Sequence, residues 1–174
     1  MNVIILGATS IGGVLAKYLV EEGHDVHVID PDGEAIAQLL AHVDVRTLQG
    51  HAEDPDALHE AQIHSADMVL AVTNSDSRNI VTTLGLHSMA PQARAALWVR
   101  DTQFTNNVHI WRDPQLKECI QLTPERNALN LVMDLLEIPL AFEAASFLGG
   151  RIHIAGLRLQ DDSHLIGGRL SDIV

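Results

Sequence analysis

Apolar residues follow two alternating rhythms along this chain. Val3-Ile4-Ile5-Leu6 is an unbroken apolar run stopped by Gly7, and from Ser10 to about Glu22 the residues Ile11, Val14, Leu15, Tyr18 and Leu19 recur at helical spacing before Gly23. A short continuous run fits a strand buried on both faces, and a three-and-four spacing fits a helix with one covered side. The alternation then repeats. Val26-His27-Val28-Ile29 predicts a second strand ended by Asp30, with Pro31 in the first turn of a helix through Ile36, Leu39 and Leu40. Val43 to Leu48 predicts a third strand stopped by Gly50, Asp54-Pro55 opens a helix through Leu58 and Ala61, and Met68 to Val72 predicts a fourth strand. Ser75 or Asp76 caps the next helix, over Ile80, Val81, Leu84 and Leu86. Ala95 to Val99 is the expected fifth strand, Phe104 to Ile110 a short helix, and Cys119 to Leu122 the sixth strand.

Strands that alternate with helices pair in parallel through right-handed crossovers. The fold class is therefore α/β, a doubly wound parallel Rossmann sheet with expected strand order 3-2-1-4-5-6. At Pro124 the rhythm changes. Glu125 to Ile138 reads as an extra amphipathic helix, with Leu129, Val132, Leu135 and Leu136 on its apolar face and Pro139 at its end. Ala141 to Phe147 and Arg151 to Leu159 then read as two strands joined at Gly149-Gly150, and Leu165 to Leu170 begins a further unit. The expected boundaries are 1–123 for the Rossmann domain, 124–139 for a linker helix, and 140–174 for the start of a small β-containing subdomain, cut short.

Composition narrows the function classes. The chain has 174 residues, 47% of them hydrophobic and only 3% aromatic, a balance rich in the aliphatic residues that a two-sided parallel sheet buries. A formal net charge of −12 disfavours a nucleic-acid partner, because no basic excess exists to displace counterions. The single cysteine, Cys119, forms neither an internal disulfide nor a thiolate metal site, which suits a reducing cytoplasm. No basic leader precedes the first strand and the apolar runs are broken well short of a membrane span, so direct membrane insertion is not expected. Among the ten histidines, His51, His59 and His64 cluster in sequence but lack a zinc-type pairing with a carboxylate.

The chemistry concentrates in Leu6-Gly7-Ala8-Thr9-Ser10-Ile11-Gly12-Gly13, between the first strand and the first helix. In a dinucleotide fold the first glycine of this loop allows a tight turn and the last lets helix and strand pack closely. The helix N-terminus then offers backbone N–H groups to phosphate. Gly7 and Gly12 hold those outer positions, while Thr9 stands where a middle glycine would admit the pyrophosphate. Asp30, at the end of the second strand, is placed to accept hydrogen bonds from adenosine ribose hydroxyls, and its charge would repel a 2′-phosphate. It is also a natural helix cap ahead of Pro31, and both roles are compatible.

The series extends further: Gly50-His51-Ala52 with Pro55 and Leu58, then Ala66-Asp67-Met68 leading to Ala71-Val72-Thr73-Asn74-Ser75-Asp76 and Asn79, then Trp98-Val99-Arg100. Over about the first 140 residues the chain resembles the N-terminal nucleotide-binding domain of Trk-type potassium-uptake regulators, the RCK or KTN family. The resemblance implies a cytoplasmic regulatory subunit that binds NAD(H) or ATP/ADP and controls a membrane potassium transporter from its inner face, as a homodimer or higher oligomer. It implies phosphate contact at Ala8, Thr9, Ser10 and Ile11, ribose contact at Asp30, and an adenine-flanking turn at His51 and Ala52. Thr73 and Asn74 would line the cleft, and Arg100 would reach toward phosphate. Thr9 departs from the family's glycine and opens the choice between dinucleotide and mononucleotide.

Two other readings compete. An NAD-dependent oxidoreductase domain without its substrate domain is one, although the only tyrosine, Tyr18, lies on the first helix and its neighbour Lys17 points elsewhere. No Gly-Lys-Ser/Thr phosphate loop is present. The other is a structural assembly module that binds no nucleotide, for which Thr9 is the main support. The apolar face of the 125–138 helix suits a dimer interface in either case.

Overall fold

In a computed structural model the described residues are 1–137, 141–147, 152–158 and 166–167. The chain divides into two compact units, Met1–Thr123 and Pro124–Val174. The first holds six parallel strands: β1 (Asn2–Leu6), β2 (Asp25–Asp30), β3 (Arg46–Gln49), β4 (Met68–Ala71), β5 (Arg94–Trp98) and β6 (Ile120–Leu122). Their order is β3-β2-β1-β4-β5-β6, as the alternating pattern predicts. Between them run α1 (Ser10–Glu21), α2 (Gly33–Leu40), α3 (Pro55–Glu60), α4 (Asp76–Met89), α5 (Thr102–Thr105) and α6 (Pro114–Lys117).

The unbroken apolar runs become strands because both faces of the sheet are covered. On β1, Val3 and Ile5 join a core with Ala16 of α1, Leu39 of α2 and Val28 of β2. Ile4 and Leu6 face the other way, into a core with Leu58 of α3, Ile80 and Leu86 of α4 and Leu116 of α6. All four β1 residues are fully buried, so the strand is fixed by packing on two sides.

Several boundaries differ from the sequence expectation. Pro31 precedes the second helix instead of entering it: Asp32 is the N-cap, its carboxylate accepting from Glu34 and Ala35 N–H, and α2 starts at Gly33. The helix expected over Phe104 to Ile110 is instead the single turn α5, capped by Asp101 and starting at Thr102, two residues before the expected start. The Trp111 indole N–H donates to Phe104 O at 2.9 Å, so this aromatic pair folds a turn over and does not extend a helix. Strand β3 begins at Arg46, although buried Val43 belongs to the α2-side core.

In the second unit α7 (Pro124–Glu137) leads to an antiparallel pair, β7 (Ala141–Phe147) and β8 (Ile152–Leu157). Leu129, Val132 and Leu136 of α7 are exposed in this chain, and Leu135 is half-buried. The expected helix end at Ile138 and Pro139, the Gly149-Gly150 turn, Arg151 and Leu159 lie outside the described residues, as does most of 165–170. No helix among the described residues is long and apolar enough to cross a membrane.

Candidate nucleotide-binding site

The strand order reverses between β1 and β4, and the loops leaving their carboxyl ends meet there, at the position where open α/β sheets offer a crevice. Gly7 makes the meeting possible. Its φ is +116°, and a Cβ there would lie 2.9 Å from Thr73 N and Cα and from Val72 O. Gly12 is equally constrained, since a Cβ on it would stand 2.0 Å from Gly7 O. Both outer glycines of the loop are thus places where backbone presses against backbone and no side chain fits.

Thr9 caps α1. Its backbone is extended (φ −70°, ψ 171°) and its Oγ1 accepts from Gly12 N–H at 3.2 Å. The same hydroxyl donates to Val72 O at 2.9 Å, so one side chain ties the helix start to the end of β4. Ser10 and Ile11 occupy the first turn, where N–H groups have no helical carbonyl four residues behind them. Ser10 is exposed and Ile11 is partly buried.

Asp30 closes the loop from the other side. One carboxylate oxygen accepts from Ala8 N–H at 2.7 Å and the other from Asp32 N–H at 2.8 Å. It therefore organises two turns at once, and each oxygen keeps a lone pair for a further donor. Asp32 and Glu34 follow within four residues, so this wall of the crevice is acidic. After β3, Gly50 N–H donates to Asp30 O. His51 is exposed beside it and Ala52 is buried. His51 Nδ1 lies 3.9 Å from Glu53 Oε1, and the other Glu53 oxygen pairs with Arg78 Nε of α4 at 2.9 Å.

The wall beyond β4 brings the expected Thr73, Asn74 and Arg100 together with Asn79 and Asp76, for which the sequence pattern suggested no site role. Asn79, fully buried on α4, uses its whole amide. Its Oδ1 accepts from Thr73 N–H (3.0 Å) and the Thr73 hydroxyl (2.6 Å), and its Nδ2 donates to Thr73 O (3.1 Å) and Trp98 O (2.9 Å). Asp76, also buried, accepts from Arg100 and Asp101 N–H through Oδ2. The Arg100 guanidinium donates to Asn74 O at 2.6 Å, stands 3.6 Å from Asp76 Oδ1, and lies over the Trp98 ring at 4.8 Å. Reaching a phosphate would require Arg100 to give up these contacts. The signal for Asn79 was a polar residue at a core-facing position of α4, where Thr82 and Thr83 are buried as well.

Cys119 lies just before β6, with its Sγ donating to Gln115 O. Burial, then the neighbouring Glu118 charge, pushes its thiol up, away from the thiolate form a nucleophile needs.

The TrkA-N domain family matches residues 3–110. The chain belongs to the TrkA-N domain family. Among curated relatives, the Trk system potassium uptake protein TrkA of Halomonas elongata is 29% identical over 170 residues, and that of Vibrio alginolyticus 28% identical over 172. Each alignment covers 98% of this chain but only 37% and 38% of the relative, so this TrkA-N chain spans under two fifths of their length. Among solved structures, the TrkA-N domain of the inner membrane protein ybaL from Escherichia coli superposes with a TM-score of 0.66 at 14% identity. That match covers 78% of this chain and 96% of the other. The Shewanella denitrificans Kef C-terminal domain in its AMP-bound form gives 0.60 at 16% identity, covering 79% and 82%. The GsuK channel bound to NAD gives 0.63 at 18% identity, covering 84% and 25%. These structures share the fold of this TrkA-N unit.

Proposed function

We propose that this TrkA-N chain is the nucleotide-sensing part of a cytoplasmic regulator of potassium uptake, acting on a membrane transporter subunit from its inner face. The observation that carries the reading is the convergence of Asp30 and the Ser10–Ile11 N–H groups where the strand order reverses. An adenosine ribose would bond the free lone pairs of Asp30 while its phosphate accepts from the first turn of α1. Ala8 to Ile11 contact phosphate, His51 and Ala52 flank the base, and Thr73 and Asn74 line the crevice. Arg100 holds that lining in place. The relatives' names support the potassium system, and the NAD, ADP and AMP complexes of fold neighbours support an adenine nucleotide.

Regulation, with no bond made or broken, is the activity assigned. Tyr18, the one tyrosine, is exposed on α1 and has no lysine placed to make it a general acid for hydride transfer. The acidic wall of Asp30, Asp32 and Glu34 favours NAD(H), ATP or ADP over a 2′-phosphorylated dinucleotide. The exposed Leu129, Val132 and Leu136 support self-association through α7. Light scattering should show a homodimer or higher oligomer that Leu135→Glu dissociates; a monomeric parent, or an equally tight variant, would remove that proposal.

Calorimetric titration with NAD, NADH, ATP, ADP and AMP tests the main reading. Asp30→Ala should weaken binding by about 1–3 kcal/mol, the scale of charge-assisted hydrogen bonds lost from a site. Unchanged affinity in a folded variant would overturn the ribose assignment. A second reading, an assembly module without nucleotide, is favoured by one observation: Thr9 Oγ1 already takes the Gly12 N–H. Absence of heat with all five ligands would decide for it.

A further inference from the structure

Resting on the adenine-nucleotide reading above, we propose that Thr9 makes this site selective for adenosine phosphates whose phosphate chain ends at α1, against those that continue into a second nucleoside.

A dinucleotide lies across a Rossmann sheet, with one nucleoside on the β2 side of the glycine loop and the other on the β4 side. Its pyrophosphate must pass over the loop residue that is normally glycine, close to backbone. Here that residue carries a side chain, and the structure shows where the side chain goes. Thr9 Oγ1 bridges the α1 start and the β4 end, accepting from Gly12 N–H and donating to Val72 O. A capping oxygen occupies the place an anion's oxygen takes at a helix N-terminus. Thr9 thus supplies its own acceptor on the path from the α1 start toward β4.

The side chain has nowhere deeper to retreat. The space beneath is closed by Gly7 against Thr73, where even a Cβ would stand 2.9 Å from backbone. Nor does the far wall yield cheaply, because Thr73 is bonded three ways to buried Asn79, and Asn74 O accepts from Arg100. Turning Thr9 outward would cost both of its hydrogen bonds and push its methyl toward the phosphates. The β2 side carries no such obstruction: Asp30 faces Ala8 and Asp32, and the Ser10 and Ile11 N–H groups precede the donor that Thr9 has taken. One nucleoside and a terminal phosphate chain need only that half of the site.

The experiment is calorimetry on the full chain with AMP, ADP and NAD, comparing wild type with Thr9→Gly and Thr9→Ser. Thr9→Ser retains the bridging hydroxyl and controls for loss of the threonine methyl alone. Wild type should bind AMP and ADP at least ~10-fold more tightly than NAD, the scale on which a few misplaced atoms discriminate between ligands. Thr9→Gly should raise NAD affinity by a similar factor and raise AMP affinity by less, while Thr9→Ser keeps the preference. Thermal unfolding of each variant confirms that it is folded. Equal binding of NAD and ADP by wild type overturns the proposal, and so does a Thr9→Gly protein whose NAD affinity is unchanged or lower. If neither wild type nor Thr9→Gly binds any of the three, the nucleotide reading itself fails, and the selectivity with it.

Discussion

Two turns face each other across the crevice, one from β1 to α1 and one from β4 to α4, and they are built on opposite principles. The first is made by leaving side chains out: Gly7 and Gly12 let backbone touch backbone. The second is made by filling the space with polar side chains that hold the backbone, with Asn79 binding Thr73 and the Trp98 carbonyl, and Asp76 Oδ2 binding the Arg100 and Asp101 amides. Each helix is capped by a hydroxyl, Thr9 on α1 and Ser75 on α4. Both helices keep two first-turn N–H groups without a helical carbonyl, but α4 sets the Asp76 carboxylate in its own first turn, whereas α1 has no acidic residue in its first turn and leaves its donors to a ligand. The α4 turn is a wall and the α1 turn a seat.

The sharpest way to break this comparison is steric. Gly12→Ala should cost at least about 3 kcal/mol, since its Cβ would meet the Gly7 carbonyl oxygen and neither backbone can move freely. Urea unfolding measures it, and a near-neutral result would mean the loop is not the tight backbone contact described. Next comes Asn79→Ala, which strands the Thr73 N–H and two carbonyls in a buried place; about 2–3 kcal/mol should be lost in the same assay. Smaller, and more telling, is the pair of caps. Thr9→Ala and Ser75→Ala should each lower stability by about 1 kcal/mol. Saturating ADP should recover more of the loss in Thr9→Ala, because phosphate can take the Gly12 N–H released there. Identical recovery in both, read from thermal unfolding, would erase the distinction between wall and seat.

Much of this architecture is legible before any coordinates. Val3 to Leu6, short and stopped by Gly7, reads as a strand covered on both faces, and Gly7, Gly12 and Asp30 stand at spacings that a βαβ nucleotide fold uses. The partners were not legible. Asp30 looks like a ribose ligand or a helix cap, yet it holds Ala8 and Asp32, and Asp32 is the cap. Thr9 reads as an obstruction, and only its bonds to Val72 and Gly12 show that it is also a tie. Asn79 lies on the core-facing side of α4, but what it and Asp76 bind there depends on β5 arriving alongside, with contacts 19 to 25 residues distant in sequence. Arg100 carries a charge that invites a phosphate, but which acceptor it meets is settled by where Asn74 and Asp76 come to rest.

The Asn79 strut also sets a clock. Thr73 lies beyond the end of β4, in a connecting loop whose amides would ordinarily trade hydrogen with solvent almost as fast as in an unfolded chain. Its N–H is instead locked to an oxygen with no route to water except by lifting the first turn of α4 off the sheet. Hydrogen exchange at this loop position should therefore keep the slow time of the central strands.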